Sequence, residues 1–195
     1  HRVVVRPTAP AGSHLDQAFT IAVGDVADEI VYGTPRNDGM RTATGTDGND
    51  TLIGGSGRDT LSGGLGNDSL FGRPGGDVLI GGEGRDLFVF DSKPNKRTNV
   101  DKIVDFSVRD DTMALDNRYF KALGRKGSLT KPGKLNLKFL WKGAKAHDAN
   151  DHVIYNPKNG ALYYDADGTG KVAAVKIGVL AKGLKTMSYK DFFVI

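Results

Sequence analysis

The chain contains no cysteine in 195 residues, so disulfides contribute nothing to its stability, and an extracellular setting would require another stabiliser. No stretch approaches the roughly 18 apolar residues of a transmembrane helix, and no basic leader with an apolar segment opens the sequence. The first residue is His1 and not methionine, which reads as a piece of something longer. Hydrophobic residues reach only 38%, so any core is thin over part of the length. Catalytic signatures are scarce as well. Among the histidines His1, His14, His147 and His152 there is no HExxH, and no GxSxG occurs, so no enzymatic activity is expected of this piece. The run from Lys121 to Lys145 lacks acids while holding eight Lys or Arg. A solvated face is the common meaning of such a run, and contact with cell-surface polysaccharide is the alternative; nucleic acid is not expected as a partner.

Glycine, by contrast, is abundant, with 27 positions, and it is ordered in sequence. Five nonapeptides follow one another: "GTDGNDTLI" from Gly45, "GGSGRDTLS" from Gly54, "GGLGNDSLF" from Gly63, "GRPGGDVLI" from Gly72 and "GGEGRDLFV" from Gly81. The sixth position is Asp50, Asp59, Asp68, Asp77 and Asp86, and the eighth is Leu52, Leu61, Leu70, Leu79 and Phe88. A flexible glycine linker does not hold an aspartate and a large apolar residue in phase over five units. Residues 33 to 91 also carry nine acids against five bases, a balance of −4 within a chain of net charge +4.

Glycine tolerates positive φ and close backbone approach, so GGxGxD describes a tight loop presenting its carbonyls. The aspartate adds a carboxylate, and the following xUx is a very short strand with one inward side chain. Ligation by oxygen alone, without His or Cys, selects calcium over transition metals. The candidate ligands are, unit by unit, Gly45, Asp47, Gly48 and Asp50; Gly54, Gly55, Gly57 and Asp59; Gly63, Gly64, Gly66 and Asp68; Gly72, Gly75 and Asp77; and Gly81, Gly82, Gly84 and Asp86. One apolar residue in nine does not offset the entropy of ordering all nine, and facing aspartates deepen the deficit. A cation bound only by the folded form closes it, so calcium is expected to be part of the fold.

These repeats closely resemble the RTX (repeats-in-toxin, haemolysin-type) calcium-binding nonapeptides. The resemblance implies an all-β fold: a calcium-loaded parallel β-roll, two nonapeptides per coil, followed by a small β-rich capping and secretion region. It implies calcium between a loop and the next but one, pairing Asp50 with Asp68 and Asp68 with Asp86 on one edge and Asp59 with Asp77 on the other, about three ions in all, with further sites at the caps. "VDKIVDF" resembles the family segment that closes the roll, making Asp101 and Asp105 candidate terminal ligands. The resemblance also implies type I export through its secretion machinery, with "DFFVI" at 191–195 as the terminal signal, an extracellular or cell-surface location and folding once calcium is met outside. The fourth unit departs from the pattern: Arg73 and Pro74 interrupt it and Gly75 and Gly76 are adjacent, which makes the Asp59–Asp77 site the least secure.

The flanks are less regular. "HLDQAFTIAV", 14–23, alternates as a strand and resembles the closing strand of a cadherin-like module. Residues 1–32 are therefore assigned to such a module plus a linker, 33–91 to the roll, and 92–195 to the capping and secretion region. The parent is then an adhesin or matrix protein; the alternative is the tail of an extracellular hydrolase or epimerase. "HVIYNPKNGALYYDADGTG" predicts a hairpin turning at Asn156–Gly160. "DADGTG" opens with EF-hand spacing but Lys176 occupies position twelve, so a turn is expected; "GTGK" lacks the rest of a phosphate loop. His147, Asp148, Asp151 and His152 read as a polar loop, and Trp141 as core.

Overall fold

The computed structural model of the protein describes residues 4–5, 20–22, 30–32, 41–124 and 127–195. Most of the 14–23 segment, all of the stretch between Gly33 and Gly39, and Arg125 and Lys126 of the basic run lie outside the described residues. Every nonapeptide contributes one strand built around its inward-facing eighth residue, and in the second and fourth units the strand runs on through the glycines that follow. In chain order the strands are β1 (Val4–Val5), β2 (Thr20–Ala22), β3 (Ile30–Tyr32), β4 (Arg41–Thr44), β5 (Thr51–Ile53), β6 (Asp59–Leu65), β7 (Ser69–Phe71), β8 (Val78–Glu83), β9 (Leu87–Phe90), β10 (Asp101–Ile103) and β11 (Thr112–Leu115). Odd strands build one sheet and even strands the other, each parallel to its neighbours.

Two units make one coil. Leu52 stands opposite Leu70 and Leu70 opposite Phe88, while Leu61 faces Leu79. One inner column therefore runs Val31, Leu52, Leu70, Phe88, Met113, all with no measurable exposure, and the other runs Leu61, Leu79, Ile103, each 1% exposed. The result is a parallel β-roll, as the repeat pattern requires.

The two sheets continue past the repeats. After β11 the chain makes β12 (Gly133–Lys134), β13 (Leu140–Lys142), β14 (Val153–Tyr155) and β15 (Ala161–Tyr164) before β16 (Val175–Val179) returns to lie parallel on β10 and β17 (Phe192–Val194) parallel on β11. Phe192 and Val194 thereby extend the inner column, opposite Met113 and Leu115. β12 pairs antiparallel with β17, and β13, β14 and β15 widen the even sheet beyond β16. The expected hairpin is β14–β15, with Asn156 accepting from the Gly160 amide at 2.8 Å and Gly160 at φ 77°. Among the described residues the helical content is three single 3₁₀ turns, and no helix is long and apolar enough to cross a membrane.

Candidate metal centre

The sixth residue of each unit sits where loop meets strand, so its side chain is carried inward at the edge of the roll. Asp50, Asp59, Asp68, Asp77 and Asp86 are all no more than 2% exposed. Because a coil is two units long, Asp50, Asp68 and Asp86 share one edge and Asp59 and Asp77 the other. Asp68, Asp77, Asp86 and Asp101 each accept through Oδ1 from the aspartate amide one coil earlier. Asp50 donates to Asp68 (2.8 Å), Asp68 to Asp86 (3.0 Å), Asp59 to Asp77 (2.9 Å) and Asp77 to Asp101 (3.1 Å). The structure thus brings together the carboxylates that the repeat pairs.

Two further carboxylates cap the first edge. Asp105 accepts from the amides of Gly81 and Gly82, both at 2.9 Å, and Asp111 from Asp86 at 3.0 Å and Ser107 at 2.8 Å. Asp111 was missing from the sequence-derived set. Its signal was legible: "DTM" at 111–113 repeats the "DTL" of Asp59–Leu61, but it comes 25 residues after Asp86 instead of 18. Asn99, also missed, takes the amide of Gly75 at 2.9 Å, and Asn49 and Asn67 form their own ladder, accepting from Asn67 and Arg85. Asp47 is exposed on its loop.

The glycines are required by backbone approach. A Cβ on Gly54 would lie 2.7 Å from Asp59 Oδ2 and 2.9 Å from the carbonyl of Gly72. The same two kinds of oxygen, a loop's own aspartate and a carbonyl from the loop one coil on, meet at Gly45 and at Gly63. At Gly64, Gly66, Gly75, Gly82 and Gly84 a Cβ would strike the carbonyl of the loop one coil earlier. Gly48, Gly55 and Gly57 hold positive φ, while Gly72 and Gly81 lie against the carboxylates of Asp77 and Asp86. In the fourth unit Arg73 takes φ 71°, the sole positive φ of a non-glycine among the described residues. Asp77 keeps its place in the ladder regardless, so the irregular loop does not displace the carboxylate.

The electrostatics favour a cation. Burial, with repulsion from Asp86 and Asp50, pushes Asp68 up to about 7 against the pull of the Asp50 amide. Burial and the neighbouring Asp101 and Asp59 push Asp77 up to about 8. Burial likewise raises Asp86 to about 6 and Asp101 to about 7. The second oxygens of Asp68, Asp77 and Asp86 are buried and accept no hydrogen bond. A buried carboxylate left this way is costly unless a charge matches it. An all-oxygen set of carboxylates and carbonyls fits calcium.

Elsewhere, His147, Asp148 and Asp151 bring a ligand atom each within 4.8 Å of one another. Asp151 Oδ2 accepts from the amides of His147 and Asp148 at 2.6 and 2.8 Å, which closes a turn, in keeping with a polar loop. "DADGTG" is a turn too, the Asp167 amide donating to Asp165 Oδ1 at 3.2 Å. Trp141 is not core: it is half-buried on the edge strand β13, its ring stacked on His147 at 4.5 Å. The described lysines of the 121–145 run are exposed.

An oxygen-lined, glycine-turned parallel β-roll of this kind defines a calcium-binding repeat module. In agreement, residues 44–79 and 71–89 match the family model of the RTX calcium-binding nonapeptide repeat, in four copies. The repeat block is therefore an RTX calcium-binding segment. A search of curated proteins finds no match to the chain.

Proposed function

We propose that the chain is a calcium-dependent folding module of a larger extracellular protein: unfolded where calcium is scarce, folded outside the cell, and supporting type I secretion through its C-terminal end. The observation that carries this reading is the aspartate ladder, whose inward oxygens on Asp68, Asp77 and Asp86 are buried without a partner. Such a ladder assembles when a cation matches its charge, and extracellular modules of this kind bind calcium at about 10⁻⁴ to 10⁻³ M. The ligands are the loop carbonyls and the aspartates Asp50, Asp59, Asp68, Asp77 and Asp86, with Asp101, Asp105 and Asp111 at the capping end. The parent is read as a cadherin-like adhesin or matrix protein, held at the cell surface and in contact with polysaccharide. Circular dichroism of chelated protein titrated with calcium tests the module: the β signal is expected to rise cooperatively, and a signal indifferent to calcium overturns the reading.

A further inference from the structure

The 18-residue coil sorts loop residues by unit. Odd units send their free positions to one edge and even units to the other, so the two edges acquire different chemistry. Outside the ladder and its capping carboxylates, the first edge carries Asp47, Glu83 and Asp110 against Arg85 and Arg109 among the described residues. Among the described residues the second edge carries Arg58, Arg73, Lys93, Lys96 and Arg97, with Asp91 as the one acid outside the ladder. There the long 91–100 loop folds over the loops of the second and fourth units and encloses a concavity of about 1030 Å³, to which β16 adds Lys176. Asp91, buried and paired with Arg73 at 2.8 Å, offsets that one arginine and leaves Arg58, Lys93, Lys96, Arg97 and Lys176 to set the sign of the wall.

Arg73 marks the groove as more than a solvated face. The second position of the other even unit is Gly55, at φ 119°. An arginine at φ 71° there costs backbone energy that glycine would not, on the order of 1 kcal/mol. Its guanidinium is nonetheless held at the groove between Asp91 and the Phe71 ring, 5.7 Å from the ring centroid.

We infer that this basic groove binds an acidic, carboxylate-bearing polysaccharide strand lying across the stacked loops. Successive coils and the 91–100 loop contribute cations to one continuous groove, which suits a linear polyanion better than a compact ion. The forks of Arg58 and Arg97 match planar carboxylates. The groove is larger than most small-molecule sites, about 300–1000 Å³. Tyr119 is the one aromatic in its lining among the described residues, whereas single-stranded nucleic acid is held on several stacking rings. The inference rests on the calcium-folded reading, since these loops are stacked only when the roll is formed.

The test uses the calcium-loaded chain in millimolar calcium with hyaluronan oligomers as probe, and neutral dextran and single-stranded DNA as comparisons, followed by calorimetry at low and high salt. Hyaluronan is expected to bind, more weakly as salt rises, and dextran not to bind. Lys93→Glu with Lys96→Glu and Arg97→Glu should weaken hyaluronan by about tenfold or more, whereas Lys134→Glu with Lys138→Glu and Lys145→Glu should change it by less than about twofold. Absence of hyaluronan binding, tighter binding to DNA, or loss with the second variant in place of the first overturns the groove. Calcium-dependent circular dichroism on the same samples separates the two readings: a normal rise without polymer binding overturns the groove alone, and no rise brings down both.

Discussion

Asp68 accepts the Asp50 amide through one oxygen and has nothing at the other, and its own amide is spent on Asp86. It faces loops on both sides, while Asp111 is the last rung of its edge. Asp68→Ala is therefore expected to lower calcium stoichiometry by two ions and Asp111→Ala by no more than one, as read by equilibrium dialysis. The raised pKa values fix a pH dependence. For Asp68, Asp77 and Asp86 the folded values of about 7, 8 and 6 lie above the ordinary 3.8, so the folded, metal-free stack takes up protons. Their contribution to its stability is full below pH 3.8 and is lost as pH rises through 6 to 8. In chelator the β signal should grow on acidification, and calcium affinity should fall over the same descent because protons compete for the same oxygens. A calcium affinity flat between pH 8 and 6 would contradict this. Gly66→Ala, at φ 120° and against the Gly48 carbonyl, should cost at least about 1 kcal/mol, measured by thermal melting in calcium.

At the scale of elements, each strand is too short to be stable alone and holds only as one rung of a stack. β17 is the last parallel rung of the odd sheet, with only the two-residue β12 antiparallel beyond it. It covers Met113 and Leu115, while Ile195 donates to the Leu115 carbonyl and accepts from the Asn117 amide. Phe192 is fully buried, so Phe192→Ala should destabilise the calcium-loaded protein by about 3–5 kcal/mol and move the calcium midpoint upward, by denaturant titration at fixed calcium. An unchanged midpoint would mean that the roll stands without this strand. The same element shows what sequence patterning left out. The nonapeptide period made β5 to β9 legible with their register, because anchor and aspartate recur every nine residues. Beyond Phe90 the loops lengthen to 24 and 25 residues per coil. The period is lost there although Asp101 and Asp111 keep the ladder, which is why Asp101 was found through "VDKIVDF" and Asp111 was overlooked.

For the whole molecule, removal of calcium is expected to abolish the cooperative melt, with the melting temperature in metal rising as calcium is raised. Scattering should show the chelated chain expanding. A chelated, metal-free monomer that still melts cooperatively would show that apolar packing alone suffices. Trp141 illustrates the limit of composition at this scale: a lone tryptophan among Phe139 and Leu140 suggested core, yet β13 ends the even sheet, so its ring stacks on His147 at the surface.

The amino-acid sequence by itself determined the coil, the inward apolar column and the alternation of aspartates between edges, since each follows from a short period and the backbone freedom of glycine. Only the tertiary structure decided that β16 and β17 return across more than seventy intervening residues to lie on β10 and β11. That pairing leaves no local periodicity: it depends on which unpaired edge and exposed anchors remain once the repeats are stacked. The basic groove is of the same kind, because arginines and lysines distant in the chain become neighbours only when the loops lie one above another.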